Sequence, residues 1–264
     1  MKNKVIKMLF ALLAIVYIPV QTMAWGQQGH RISGQIADSY LNVKARKAIQ
    51  GILGNESIAM ASNWADFIKS DSTYNYLYNW HFVNFDKVMT EQEMEAYLKV
   101  DTIADAYTKV TFLTAELKKK TLSAKNKLLY LRMLIHIVED IHQPLHTGHL
   151  SDKGGNDIKV LWMNNPSNLH SVWDSQLIDF QQLSYTEYTA AINHTTAAQR
   201  AAWQKTPLTH WLYESNQLAQ KLYADVKPDE KLSYRYNFKY IETVNQQLVK
   251  GGVRLAGLLN EIFG

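Results

Sequence analysis

Cysteine is absent from all 264 residues of this sequence. Without cysteine the chain can form neither a disulfide nor a thiolate metal site, so any metal ion would need histidine, carboxylate or backbone ligands. Repeats, low-complexity tracts and linker-like segments are missing as well. With 47% hydrophobic and 20% charged residues, the composition is that of one globular domain and not of a disordered or fibrous protein.

Long apolar runs are scarce, and only one stands out. The segment Met8–Val20 follows a start with three lysines and precedes small residues that would allow cleavage after Ala24. This order is typical of a secretory signal peptide, and the run is shorter than the ~20 residues of a membrane-spanning helix. We therefore expect residues 1–24 to be removed and residues 25–264 to be exported, to the periplasm or outside the cell. An uncleaved membrane anchor is the alternative interpretation.

Net charge almost disappears once this leader is set aside. The formal charge of the whole chain is +4, and the leader holds three of its lysines and none of its acids. Residues 25–264 therefore carry 25 basic and 24 acidic side chains. Such a balance does not favour a broad nucleic-acid-binding surface, so a substrate of that kind would have to be bound locally.

The hydrophobic pattern after the leader is helical and predicts one all-α domain with at most a short β-hairpin. The clearest helix covers residues 124–143, where apolar residues recur every three or four positions up to a proline. Thr90 and Glu93 form a capping box for a short helix, and Asp101 is predicted to cap the next one, ending near Lys118. Further helices are predicted from Ile32 onward and at 58–69, 168–180, 185–204, 208–225 and 235–262, with one strand at Ile158–Trp162.

Histidines and aspartates recur at a spacing that suits metal binding. His136 and Asp140 lie four residues apart on the clearest helix, so they share one face, and His170 and Asp174 repeat this spacing. His146 follows just beyond the helix-ending proline. A single such pair is commonly a solvated ion pair or a core histidine with its partner. Two pairs together with His146 favour metal binding.

Four further residues are candidate ligands. Asp66 and His81 occur in two short fragments that are rich in polar and aromatic residues. Trp25 comes directly after the predicted cleavage site, where a free α-amino nitrogen and the carbonyl oxygen of the same residue can chelate a metal ion. His30 is close enough in sequence to complete that site.

In their order along the chain, these residues resemble the S1/P1 nucleases, which are zinc-dependent single-strand nucleases and 3′-nucleotidases. The wider superfamily includes zinc-dependent phospholipases C. The resemblance covers nearly all of residues 25–264 and includes the sequence Gly154-Gly155-Asn156. It implies a mainly helical domain of this superfamily, with three zinc ions bound in one pocket.

The resemblance also implies a ligand set for each ion. Asp140 would bridge the first two ions, and Asp66 and Asp140 would be the catalytic carboxylates, with Asp66 also orienting a water molecule. The three sets are Asp66, His81, His136 and Asp140 for the first zinc; the Trp25 backbone, His30 and Asp140 for the second; and His146, His170 and Asp174 for the third.

Three more residues are implied to contact the substrate. Lys69 stands where relatives often have arginine and offers a point charge to phosphate instead of a planar fork. Phe82 matches the residue on which the base stacks, although a core aromatic is the alternative interpretation. Asn156 is the third. The implied substrates are single-stranded DNA or RNA and 3′-nucleotides, with 5′-phosphate products, and we expect a monomer without an obligate protein partner.

Three other interpretations stay open at this point. A phospholipase C would share the metal ligands, but Asp174 stands where those enzymes carry glutamate. A non-catalytic zinc-binding protein of the cell envelope would bind metal without turnover. A helical interaction module would have incidental histidines. The histidines outside the ligand set are interpreted as structural: His142, His149, His194 and His210.

Overall fold

The computed structural model describes residues 25–85 and 87–264. The predicted signal peptide, residues 1–24, lies outside the described residues. Within the described ranges, no helix combines the length and the apolar character that crossing a membrane requires.

The fold is mainly helical, as predicted, with thirteen α-helical segments among the described residues. The helices are α1 Gln27–Ser39, α2 Val43–Leu53, α3 Ile58–Ala61, α4 Trp64–Phe67, α5 Glu91–Lys99, α6 Ala106–Leu117, α7 Ala124–Asp140, α8 Leu169–Ser171, α9 Leu177–Asp179, α10 Tyr185–Ile192, α11 Ala197–Gln204, α12 Leu208–Asp225 and α13 Tyr234–Phe263. Tighter 3₁₀ segments cover Ile68–Ser70, Ser72–His81 and Pro144–Thr147, and a π-helical turn covers Val172–Gln176.

A small sheet stands beside the helices. Strands β1 (Lys159–Trp162) and β2 (Asn165–Asn168) form an antiparallel hairpin whose two turn residues both have positive φ, as a type I′ turn requires. The predicted strand and hairpin are therefore confirmed. A third strand, β3 (Lys231–Leu232), pairs with β1 in parallel and was not predicted, because two residues carry no periodic signal.

Two of the predicted helices are broken. The segment 58–69 is broken between α3 and α4, where the Ser62 carbonyl accepts a hydrogen bond from the His136 ring at 2.5 Å. The segment 185–204 is broken before Thr196, which begins α11 with a capping box of its own. In both places a local or tertiary hydrogen bond replaces the continuation of the helix.

Three helix boundaries differ from the prediction, the first being the start of α1, which lies at Gln27 and not at Ile32. The cap of α6 is Asp105, which accepts from the Thr108 backbone at 3.0 Å, whereas Asp101 accepts from Ile103 in the preceding turn. Helix α7 ends at Asp140 and not at residue 143. The capping box that opens α5 is confirmed, since Thr90 and Glu93 exchange backbone and side-chain hydrogen bonds.

Helix α7 runs through the centre of the molecule, and every residue from Met133 to Asp140 is buried. The long helix α13 packs against α1, and the approach is close: a Cβ on Gly252 would lie 2.6 Å from the Ser33 carbonyl oxygen. This packing places α1 beside the C-terminal end of α7. Polar residues of both helices are thereby buried together.

Candidate metal centre

The centre begins at the end of α7. His136 and Asp140 face the same side, with His136 Nε2 3.1 Å from the Asp140 carboxylate. His81, at the end of its 3₁₀ segment, lies 3.0 Å from the same carboxylate through Nδ1. His30 of α1 approaches it to 3.4 Å through Nε2. Asp140 therefore lies between residues from three separate parts of the chain.

Asp66 of α4 completes this first cluster. Its carboxylate oxygens lie 3.8 Å from His136 Nε2 and 3.9 Å from His30 Nε2. Two overlapping sets, which share His136, have ligand-type atoms all within 4.8 Å of one another, a spacing suited to a bound ion. They are His30, Asp66 and His136, and His81, His136 and Asp140.

A second cluster lies next to the first. His170 and Asp174 keep the predicted i, i+4 relation, with His170 Nε2 3.0 Å from the carboxylate, and His146 Nε2 lies 3.7 Å from Asp174. Asp174 belongs to the π-helical turn, a local distortion often found at functional sites. His146 Nδ1 also lies 3.8 Å from Asp140, so the two clusters share one buried space.

The histidine rings are held by contacts on their outer side. Nδ1 of His136 bonds the Ser62 carbonyl at 2.5 Å, and Nδ1 of His146 bonds the His81 carbonyl at 2.8 Å. A backbone or carboxylate partner on one ring nitrogen orients the other nitrogen toward a metal ion. The Nε2 atoms of these rings accordingly face the aspartates.

The same pattern explains Gly154, the first of the two glycines before Asn156. His170 Nδ1 bonds the Gly154 carbonyl at 2.6 Å. Gly154 has a φ of 63°, and a Cβ there would lie 2.3 Å from the Leu145 carbonyl oxygen. Only glycine fits this position without a shift of the backbone, so the loop that orients His170 depends on it.

Several buried atoms in these clusters make no hydrogen bond. They include His30 Nε2, Asp66 Oδ2, Asp140 Oδ1 and His146 Nε2. Buried polar groups are normally paired, and an unpaired carboxylate oxygen is costly. Atoms of this kind, converging from several elements, fit nitrogen- and oxygen-binding metal ions.

The acids of the centre are held in the ionised form. Burial alone would raise the pKa of Asp66, but the His136 and Lys69 charges lower it to about 2. The pKa of Asp140 is likewise held well below its usual range by His136 and His146, against the effect of burial. Burial and the Lys69 charge lower the pKa of His81 to about 4, so its ring is neutral near pH 7. The aspartates, against the effect of burial, raise the pKa of His136 and raise that of His146 to about 9. Metal binding needs ionised carboxylates and neutral imidazoles, so an ion bound here would have to displace the protons of these two rings.

Two buried residues of the centre were not predicted. Glu139 is fully buried, and its carboxylate lies 2.6 Å from His30 Nδ1. The Gln143 amide donates to Asp174 and accepts from the Leu145 backbone. The Glu139–His30 contact joins residues 109 positions apart, so no local pattern indicated it. The position of Gln143 beside the helix-ending proline was the one available signal for that residue.

The structure buries the Trp25 side chain completely and ties the start of the domain to both clusters. The Trp25 indole donates to the Glu139 carbonyl at 2.9 Å, and the Gly26 backbone donates to the Asp174 carbonyl at 2.7 Å. Chelation by the α-amino group and carbonyl oxygen of Trp25 stays a prediction.

A cleft of about 540 Å³ opens onto the centre at His81, His146 and His170. All three predicted substrate contacts line it: Lys69, Phe82 and Asn156. Lys69 Nζ lies 2.5 Å from Asp66 Oδ1. Phe82 is partly exposed, and the carbonyl oxygen of the Asn156 side chain makes no hydrogen bond. The predicted residues therefore meet at one opening.

Among the described residues, the remaining histidines belong to none of the candidate metal-binding groups. His142 is buried and bonds the Val138 carbonyl at 2.7 Å. His149 stacks on Tyr223 with ring centroids 4.1 Å apart, and His210 lies 2.6 Å from Glu91.

Comparison with known proteins gives one consistent result. The model of the family described as S1/P1 Nuclease matches residues 25–264. The chain is 30% identical over 281 residues to Endonuclease 2 of Arabidopsis thaliana, covering 95% of this chain and 94% of the relative. It is 30% identical over 268 residues to Nuclease P1 of Penicillium citrinum, covering 91% of this chain and 98% of the relative. Nuclease S1 of Aspergillus oryzae is 28% identical over 164 residues, or 59% of this chain and 55% of the relative.

Proposed function

Because the chain belongs to the S1/P1 nuclease family, we propose that it is a zinc-dependent hydrolase that cleaves single-stranded DNA and RNA and leaves 5′-phosphate ends. We further propose that it removes the phosphate from 3′-nucleotides. One observation carries the proposal: imidazole and carboxylate atoms without hydrogen-bond partners converge at the base of a cleft. The same cleft is lined by a cation, Lys69, and an aromatic ring, Phe82.

The donor set fits zinc. It consists of imidazole nitrogens and carboxylate oxygens, without thiolates, and several of these atoms are unpaired in the protein. We assign Asp66, His81, His136 and Asp140 to the first ion and His146, His170 and Asp174 to the third. His30, Asp140 and the Trp25 backbone would hold the second, which gives three zinc ions in all.

Bound zinc supplies Lewis acidity, which activates water at neutral pH and stabilises charge on phosphate oxygens. The chain's own groups position the reactants. Asp66 Oδ2, which makes no hydrogen bond, can accept one from a water molecule and orient it toward phosphorus. Lys69, held 2.5 Å from Asp66, places a positive charge at the mouth of the centre, where a phosphate would enter.

The cleft explains why an unpaired strand is the expected substrate. Phe82 lies directly after His81, so a base stacked on its ring would bring the adjoining phosphate close to the centre. Stacking on an aromatic ring is worth ~1–3 kcal/mol per base and tolerates any sequence. The ligand side chains are buried, and bases in a duplex are not free to leave their stack and enter the cleft. The predicted export also belongs to this proposal, with residues 1–24 as the removed leader.

Cleavage of one sequence in single-stranded and duplex form tests the proposal. We expect faster cleavage of the single strand, 5′-phosphates on the products, loss of activity on chelation and recovery when zinc is returned. A phosphatidylcholine substrate should be left intact. Hydrolysis of the lipid but not of DNA would instead indicate a phospholipase C, and zinc binding without any turnover would indicate a non-catalytic protein.

A further inference from the structure

A second, smaller cavity adjoins the cleft. Its volume is about 290 Å³, close to the lower limit of ~300 Å³ for ligand pockets. Three residues line both cavities: Lys69, Tyr78 and His81. The two cavities therefore adjoin at Lys69 and Tyr78 and at His81, a proposed metal ligand. The smaller one is called the side cavity below.

Aromatic side chains form much of the side cavity. Tyr78 is 61% exposed although it stands beside the catalytic opening, and its ring meets Phe82 edge-on with centroids 6.0 Å apart. Tyr74 lines the same cavity and packs edge-on against Trp64 at 5.5 Å. Both tyrosines belong to the 3₁₀ segment that ends at His81, so their rings are held in a fixed relation to the centre.

We propose that the side cavity binds the second base of a polynucleotide, the one whose nucleoside is joined to the scissile phosphate through its 5′-oxygen. The inference rests on the proposed function, in which the nucleoside on the 3′-oxygen side stacks on Phe82. The two nucleosides leave a phosphate in different directions. A phosphate beside Lys69 would border both cavities, because Lys69 lines each of them.

The chemistry of the lining supports a base as the occupant. An exposed tyrosine ring offers a flat face that any base can stack on, and the Asn75 amide in the same cavity offers a donor and an acceptor. Lys69 stands in the shared wall, where the connecting phosphate would lie. The site would therefore favour dinucleotides and longer strands over 3′-mononucleotides, without preference for sequence.

The test compares thymidine 3′-monophosphate with the dinucleotide TpT, using full steady-state kinetics. Tyr78→Ala removes a contact with Phe82 and can therefore change the kinetics on both substrates, but it should raise KM for TpT at least about fivefold more than KM for the mononucleotide, because only TpT has a second base to stack. Tyr78→Phe keeps the ring and should match the wild type on both substrates. Tyr76→Ala is the matched control, since Tyr76 is 56% exposed on the same segment and lines neither cavity.

The outcomes separate this inference from the proposed function. If the wild type cleaves both substrates but Tyr78→Ala changes neither KM, changes both equally or acts no differently from Tyr76→Ala, the side cavity does not bind the second base. If the wild type cleaves neither substrate, with zinc bound, the nuclease proposal itself is wrong and this inference falls with it.

Discussion

Two polar clusters, one buried and one partly buried, lie near the end of α7, and each contains a histidine from that region. One is the metal centre around Asp140. The other, called the α12–α13 network below, joins His142 to Arg254, Glu214 and Lys250. In the network, His142 Nδ1 donates to the Val138 carbonyl, and His142 Nε2 lies 3.1 Å from the Arg254 guanidinium. The Glu214 carboxylate accepts hydrogen bonds from Arg254 at 2.5 Å and from Lys250 at 2.9 Å.

The two clusters differ in how their atoms are paired. Both ring nitrogens of His142 have protein partners, and two fixed cations neutralise Glu214. In the metal centre, the acids contact mainly histidines, and several nitrogen and oxygen atoms are unpaired. Burial of charged residues alone therefore does not indicate a functional site. A functional site is indicated by buried ligand-type atoms that lack hydrogen-bond partners and converge on one space.

The strongest test of this contrast removes Asp140, the acid that we propose as a ligand of both the first and the second ion. Asp140→Asn keeps the size of the side chain but removes its charge, which four histidines approach within 4 Å. Loss of an outer partner of a metal ligand typically costs about 10–100-fold. For this ligand we expect at least a roughly hundredfold lower rate on single-stranded DNA, together with less bound zinc by mass spectrometry. Asp225→Asn, on the surface, is the control, and equal rates for wild type and Asp140→Asn would contradict the assignment.

A smaller effect is expected from the carboxylate that holds His30. Burial, and then the Asp140 charge, raise the pKa of Glu139 well above its usual value. Because Glu139 positions His30 and does not itself face the cleft, Glu139→Ala should lower zinc affinity about 10–100-fold, and Glu139→Gln, which keeps an acceptor, should lower it less. Competition with a zinc chelator of known affinity measures this directly. Unchanged affinity in Glu139→Ala would show that the contact only supports packing.

Substitutions in the α12–α13 network should lower the free energy of unfolding and leave catalysis unchanged. Glu214→Gln leaves the Arg254 guanidinium, whose side chain is only 1% exposed, without its counter-charge. Because the Glu214 side chain is 27% exposed, the cost should be below the ~3 kcal/mol of a fully buried pair. We expect that loss in urea unfolding, with kcat on single-stranded DNA unchanged for the folded protein. A loss of bound zinc in this variant would mean that the two clusters are not independent.

The same pair gives a pH dependence of smaller size. Burial would raise the pKa of Glu214, but the Arg254 charge and the Lys250 hydrogen bond lower it to about 2. Its contribution to stability is therefore present above the unfolded pKa of ~4.5 and is lost as pH falls toward 2. The difference in unfolding free energy between wild type and Glu214→Gln should shrink between about pH 5 and pH 2. A difference that stays constant across this range would contradict the ion pair.

The sequence was most informative where ligands lie on one helix. The pairs His136 with Asp140 and His170 with Asp174 follow from the helical repeat alone, and the structure brings each pair together. The capping box of α5 followed from local chemistry in the same way.

Contacts between distant segments had no comparable signal. The placement of His30 and Asp66 beside α7 depends on how α1 and α4 pack, and it was expected only through the family resemblance. The helix breaks between α3 and α4 because the Ser62 carbonyl accepts a hydrogen bond from His136, more than seventy residues away in sequence. In the sequence, Glu139 has the same pattern as any charged helix residue, and its contact with His30 arises only from the tertiary fold.

Zinc content and activity, measured on two forms of the protein, test the central claim most directly. One form starts at Trp25, and the other carries one extra residue before it. We predict about three zinc ions and rapid cleavage of single-stranded DNA for the Trp25 form, and one ion fewer with most activity lost for the extended form, because its α-amino group no longer belongs to Trp25. Equal zinc content and equal activity in both forms would contradict a ligand role for the Trp25 amino group. Absence of zinc from both would contradict the metal centre as a whole.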